Sequence, residues 1–133
     1  MEETLKNLYK KFGREYKRNA VIFSEGEKGD EMYFILEGSV IISKKTETKE
    51  KSKTLAVLTK GDFFGEMALL TDEVRSATAQ ALENTKLIAF NKDFFFENLV
   101  KYPKFAVKLL KVLAKRISLL DKEITKSESK EGI

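Results

Sequence analysis

From Asn19 to Phe90 the chain is a succession of short β-rich runs, each halted by a turn signal before it can lengthen. NAVIFSEGE (19–27) is stopped at Gly26, and MYFILEGSVIISKK (32–45) is interrupted at Gly38, where a bulge or tight bend is expected instead of a straight strand. The stretch KKTETKEKSK (44–53) is almost wholly charged or hydroxylic and reads as a solvated hairpin loop between strands at 39–43 and 54–58. Two further strands are expected in SATAQALENTKLIAF, around a turn at Glu83–Asn84. Seven or eight such short strands with turn signals between them point to a β-roll or jelly-roll barrel.

Helical periodicity brackets this region. Leu5, Leu8, Tyr9 and Phe12 share a helical stripe before Gly13, a natural stop. After Asp93, the expected N-cap of FFFENLVKY, the pattern stays helical, and Pro103 separates that helix from a longer one. The expected fold is mainly β with flanking helices: an N-terminal helix, a barrel over about 19–92, two C-terminal helices over about 93–125, and a polar tail at 126–133. With 133 residues and neither repeat nor linker, the whole chain reads as one domain.

Composition removes several function classes. There is no cysteine and no histidine, so thiolate chemistry, the commonest general base and the commonest transition-metal ligand are all missing. No metal site, cofactor or catalytic group is expected, and the chain reads as a binding protein, not an enzyme. No apolar run approaches the ~20 residues that span a bilayer. The N-terminus MEETLKNLYKK lacks the apolar core of a signal peptide, which points to the cytoplasm. A net charge of +4 with 21 acids interspersed is too small a bias to indicate nucleic acid.

One segment stands apart, FFGEMALLTDEVRSATAQA (63–81). Only four of the 25 basic residues are arginine, and Arg75 alone lies in a run of small uncharged residues. Gly65 lets a ligand approach the backbone closely. If GEMALL forms a short helical turn, the amides of Glu66, Met67 and Ala68 favour an anion. Arg75 offers a planar fork for two phosphate oxygens, Ser76 a hydroxyl, Ala77 an amide, and Glu66 an acceptor for a sugar hydroxyl. Spacing alone leaves another reading open, in which Glu66 complements a helix dipole and Arg75 is a strand-end surface cation.

The residues around this pair resemble the phosphate-binding cassette of the cyclic nucleotide-binding domain family. The pattern here is Phe64-Gly65-Glu66-Met67-Ala68-Leu69-Leu70, a loop at 71–74, then Arg75-Ser76-Ala77-Thr78. The run VIFSEGEKGDEMYFILEGSVIISK, with Gly26, Gly29 and Gly38, is similar to the family's first strands, and FFFENLVKYPKFAVKLLKVLAKRI to the helices after its barrel. The resemblance implies a ligand-binding set of Phe64, Gly65, Glu66, Met67, Ala68, Arg75, Ser76 and Ala77. In it, Arg75 pairs with the cyclic phosphate and Glu66 accepts from the ribose 2′-hydroxyl. The implied ligand is cyclic AMP or cyclic GMP, with cyclic AMP preferred. A ligand-free β-roll acting through protein contacts is the alternative.

The long helix carries two apolar stripes. One runs through Ala106, Leu110, Leu113, Ile117, Leu120 and Ile124, the other through Phe105, Leu109, Val112, the Arg116 stem and Leu119. Together they cover more of the helix than one docking face requires. The resemblance implies a lid over the base near Leu119, Leu120 and Asp121, and a homodimer seam along 105–124 or a docking face for an unidentified protein partner. No DNA-reading helix follows, so DNA binding is not expected.

Overall fold

The computed structural model describes residues 2–48, 50–104, 106–116 and 118. The chain divides into two compact units, Met1–Lys92 and Asp93–Ile133. The first holds α1 (Glu2–Phe12), β1 (Gly13–Tyr16), β2 (Val21–Phe23), β3 (Glu31–Glu37), β4 (Ser39–Lys45), β5 (Ser52–Thr59), β6 (Phe63–Phe64), α2 (Glu66–Thr71), β7 (Thr78–Ala81) and β8 (Thr85–Asn91).

The strands form two four-stranded antiparallel sheets, β1-β8-β3-β6 and β2-β7-β4-β5. A sheet with one apolar face buries it most economically against a second sheet, and the core lies between these two. Phe23, Val40 and Ala79 come from one sheet; Tyr33, Ile35, Phe64, Leu87 and Ala89 come from the other. The β-roll with flanking helices expected from the strand pattern is the fold observed.

Gly38 is the bend between β3 and β4, and it sends the chain from one sheet to the other. Its φ of +98° is open to glycine at little cost, and a Cβ would meet Thr85 Oγ1 at 2.5 Å and the Asn84 carbonyl at 2.6 Å. Thr85, 1% exposed, closes the bend from the other side: its hydroxyl accepts from the Ser39 N–H at 3.3 Å and donates to the Glu83 carbonyl at 2.8 Å. The turn at Glu83–Asn84 is likewise a change of sheet, because β7 and β8 belong to different ones.

Four boundaries differ from the sequence reading. The barrel begins at Gly13, not near Asn19, because GREY pairs with β8 from Gly13↔Ile88 to Tyr16↔Thr85. The two-residue β6 was not anticipated; it pairs Phe63 and Phe64 with Phe34 and Tyr33. The 44–53 loop is shorter than expected, since Lys44↔Lys53 and Lys45↔Ser52 continue the β4–β5 ladder, which backbone groups sustain whatever the side chains. The helix after the barrel, α3 (Lys92–Lys101), already includes Lys92, so Asp93 lies in its first turn and is not its cap.

In α3 Phe95 is buried and stands edge-on to Phe96 at 5.4 Å. The chain breaks helical form at Tyr102 and resumes it at Pro103, where a missing N–H costs nothing. Residues 106–116 form α4. Of its two expected stripes, Leu109 is buried, Ala106, Val112 and Leu113 are half-buried, and Leu110 is 64% exposed. Phe105, Ile117, Leu119, Leu120, Asp121 and Ile124 lie outside the described residues. Among the described residues no helix is long and apolar enough to cross a membrane.

Candidate functional site

The cassette folds as α2 behind a glycine corner. Gly65 is the N-cap at φ 82° and ψ 5°, and Asp72 ends the helix in the left-handed region with its N–H donated to the Ala68 carbonyl at 3.1 Å. Lys92 Nζ donates to Asp72 Oδ1 at 2.6 Å and ties the far end of the helix to the end of β8. Ala68 and Leu69 face inward and Met67 is 52% exposed. The Phe64 ring packs against Tyr33 at 5.1 Å and Phe23 at 5.9 Å, inside the inter-sheet core.

Arg75 and Glu66 are both buried, at 4% and 1% exposure, among the few charged residues that are. Burying a guanidinium is expensive unless its donors are met, and the chain meets them with backbone. Nη1 donates to the Gly65 carbonyl at 2.9 Å and Nη2 to the Glu31 carbonyl at 2.8 Å. The guanidinium carbon lies 4.2 Å from the centre of the Phe23 ring and 5.8 Å from that of Tyr33, close enough for cation–π attraction. Two of five guanidinium N–H donors are thus spent on neutral oxygens. Nε has no hydrogen-bond partner among the described residues. A surface cation at a strand end would look quite different.

The loop between β2 and β3 braces this arginine. The Gly26 N–H donates to the Arg75 carbonyl at 2.8 Å, and the Arg75 N–H to the Glu27 carbonyl at 2.7 Å. The Glu25 N–H donates to Thr78 Oγ1 at 2.9 Å. Gly29 lies flat against the guanidinium, where any Cβ would collide with it, and a Cβ at Gly65 would stand 2.9 Å from Nη1. Of the glycines noted from the sequence, Gly29 and Gly65 therefore make room for Arg75 itself. Of the remaining expected residues, Ala77 is buried and Ser76 is exposed. The base-lid residues Leu119, Leu120 and Asp121 are outside the described residues.

Sequence reasoning did not find Phe23, Tyr33, Glu31 or Arg14. Arg14 on β1 makes a two-pronged bond to Glu31, Nη1 to Oε1 at 2.9 Å and Nη2 to Oε2 at 2.6 Å. That bond holds the Arg14 guanidinium well above its ordinary pKa. The Tyr33 hydroxyl donates to Glu31 Oε1 at 3.4 Å. Burial, reinforced by the neighbouring Glu31 carboxylate, pushes the Tyr33 phenol up to about 12.

Two facing sheets, a glycine-cornered short helix and an arginine buried beside it make a β-roll with a single oriented guanidinium at its cassette. Residues 13–102 match the cyclic nucleotide-binding domain, and the chain belongs to that family. It is 34% identical over 111 residues to a protein of Thermus thermophilus named the cyclic AMP receptor protein, covering 84% of this chain and 51% of that one. It is 34% identical over 94 residues to human cGMP-dependent protein kinase 2, covering 65% of this chain and 12% of that one. The crystal structure of the Thermus thermophilus catabolite activator protein superposes with a TM-score of 0.82 at 31% identity, covering 93% of this chain and 58% of that one. The chain thus spans about half of the first relative and a small part of the second.

Proposed function

We propose that this chain is a receptor module for a 3′,5′-cyclic nucleotide, cyclic AMP in preference to cyclic GMP, and that it acts by binding and not by catalysis. In this reading Arg75 takes the exocyclic phosphate oxygens, Ser76 and the amides at Ala68 and Ala77 complete the cradle, and Glu66 accepts from the ribose 2′-hydroxyl. The observation that carries it is Arg75. A buried guanidinium oriented by two uncharged carbonyls, with Nε still to be satisfied, is preorganised for one anion. The cyclic phosphate bears one negative charge, so a single arginine suffices. One named relative is a cyclic AMP receptor and another a cyclic GMP-dependent kinase, which supports the ligand class and leaves the base to be measured.

The output runs through the C-terminal helices. A ligand shifts such an equilibrium only by its differential affinity for two helix positions, so this output requires the helices to favour the nucleotide in one of them. The helix also offers a homodimer seam. Calorimetric titration with cyclic AMP and cyclic GMP tests the reading. Heat of binding with cyclic AMP the tighter is expected. Silence with both at millimolar nucleotide would leave a ligand-free scaffold, and cyclic GMP tighter by about tenfold, ~1.4 kcal/mol, would reverse the preference.

A further inference from the structure

We propose that Arg14 and Glu31 are positioning residues for the phosphate-binding arginine; this rests on the ligand site proposed above. Glu31 serves two arginines at once. Its carbonyl accepts from Arg75 Nη2 at 2.8 Å, and its carboxylate is gripped by both nitrogens of Arg14. The carbonyl and the side chain diverge from one α-carbon, so fixing the carboxylate limits rotation of the peptide that anchors Arg75.

The restraint falls where the sheet supplies least. Glu31 is the first residue of β3, and residues 24–30 before it have no strand ladder. On that side only the Glu31↔Asn91 pair begins the register. Arg14 comes from the far side of the same sheet, since β8 lies between β1 and β3. The bond is therefore a strap across β8 that joins the strand after α1 to the strand that orients the phosphate arginine. It is well formed for a partly exposed pair: two parallel short contacts, with side-chain exposures of 44% and 23%. By contrast Lys86 and Glu37 meet at 3.7 Å with both side chains exposed, a pair of the kind that contributes little.

Removing the strap acts on a residue it does not touch. Arg14→Gln lets the Glu31 peptide turn, and Arg75 spends longer out of register with its anion. Cyclic AMP affinity is expected to fall about tenfold, the size of coupling that residues without ligand contact exert. The exchange of charges, Arg14→Glu with Glu31→Arg, restores most of it.

The test pairs calorimetry with nuclear magnetic resonance of arginine-labelled protein, the Arg75 guanidinium signals being assigned by their loss in Arg75→Lys. In ligand-free parent protein those signals report slow rotation about the held Nη groups. In Arg14→Gln they collapse, in the charge exchange they return, and in Lys86→Gln they do not change. Glu31→Gln, which keeps the side chain's size and the carbonyl, covers the case in which Arg14→Gln does not fold; it weakens both readouts in the same direction. Unchanged affinity and unchanged Arg75 signals in a folded Arg14→Gln or Glu31→Gln protein overturn the proposal. If the parent binds no nucleotide, the receptor reading fails, while the Arg75 signals still decide whether the strap orders that arginine.

Discussion

Arg75 bonds to Gly65 and Glu31 and lies over Phe23, and its replacement should be read by what is left behind. Arg75→Ala leaves an anion without its counter-charge in a desolvated site, and nucleotide affinity is expected to fall by about 2–4 kcal/mol. Arg75→Lys recovers only part, because an ammonium cannot make the fork or lie flat on Phe23. Glu66→Ala costs less, about 1–2 kcal/mol, the scale of one charge-assisted hydrogen bond. Titration of the three variants against parent checks the order; parent-like binding by Arg75→Ala would remove the site from this arginine. The cassette was legible in the sequence because its groups lie within one short segment, with Gly65, Glu66 and Arg75 in fixed spacing. The supports of Arg75 were not. A backbone carbonyl at Glu31, 44 residues away, has no signature in residue type, and Phe23 reads as any apolar strand residue. Phe64 belongs to the motif by position, and its ring belongs to the core, a packing role that the motif does not announce.

Among the elements, the change of sheet at Gly38 is the feature on which most else depends. Gly38→Ala forces a side chain into the left-handed region and against Thr85, and is expected to destabilise the protein by about 1–3 kcal/mol or more. Thr85→Val removes the hydroxyl that serves both Ser39 and Glu83 and leaves buried backbone groups unmet, for a further cost of about 1–3 kcal/mol. Because the two residues touch, their double variant should cost less than the sum. Urea unfolding of the two single variants and the double variant measures this; simple additivity would separate the bend from its latch. The bend was expected from glycine inside a β-rich run, but the exchange of sheets was not. Local pattern marks where a strand breaks, not which partner each half finds. For the same reason β1 was missed: GREY has no apolar alternation, and only pairing with β8 makes it a strand. The β-rich run at 32–45 and the helical stripe through Leu5, Leu8, Tyr9 and Phe12 were legible because the fold buries or half-buries most of the apolar residues in each.

For the whole molecule, a ligand that binds only the folded chain must stabilise it in proportion to its free concentration. At about one hundred times its Kd, cyclic AMP is expected to add about 2.7 kcal/mol, and the melting temperature should climb with each further increase in nucleotide. Thermal denaturation over a nucleotide series measures this, and Arg75→Ala should show a much smaller rise at the same concentrations. A melting temperature independent of nucleotide in the parent would mean that the folded and unfolded chains bind it equally, or not at all.

The pairing of β1 with β8 sets an order in time. Gly13 finds its partner in Ile88, close to the end of the first unit, so the sheet that carries Glu31 cannot be completed while a ribosome is still making the earlier strands. The contacts of Arg75 with Phe23, Glu31 and Gly65 come from segments laid down before it, yet the strand between β1 and β3 arrives after it. A nascent chain ending at the cassette therefore has every side chain proposed to touch the phosphate and lacks the strand that aligns them. In the receptor reading proposed above, competence to bind is expected only once β8 has slotted between its neighbours.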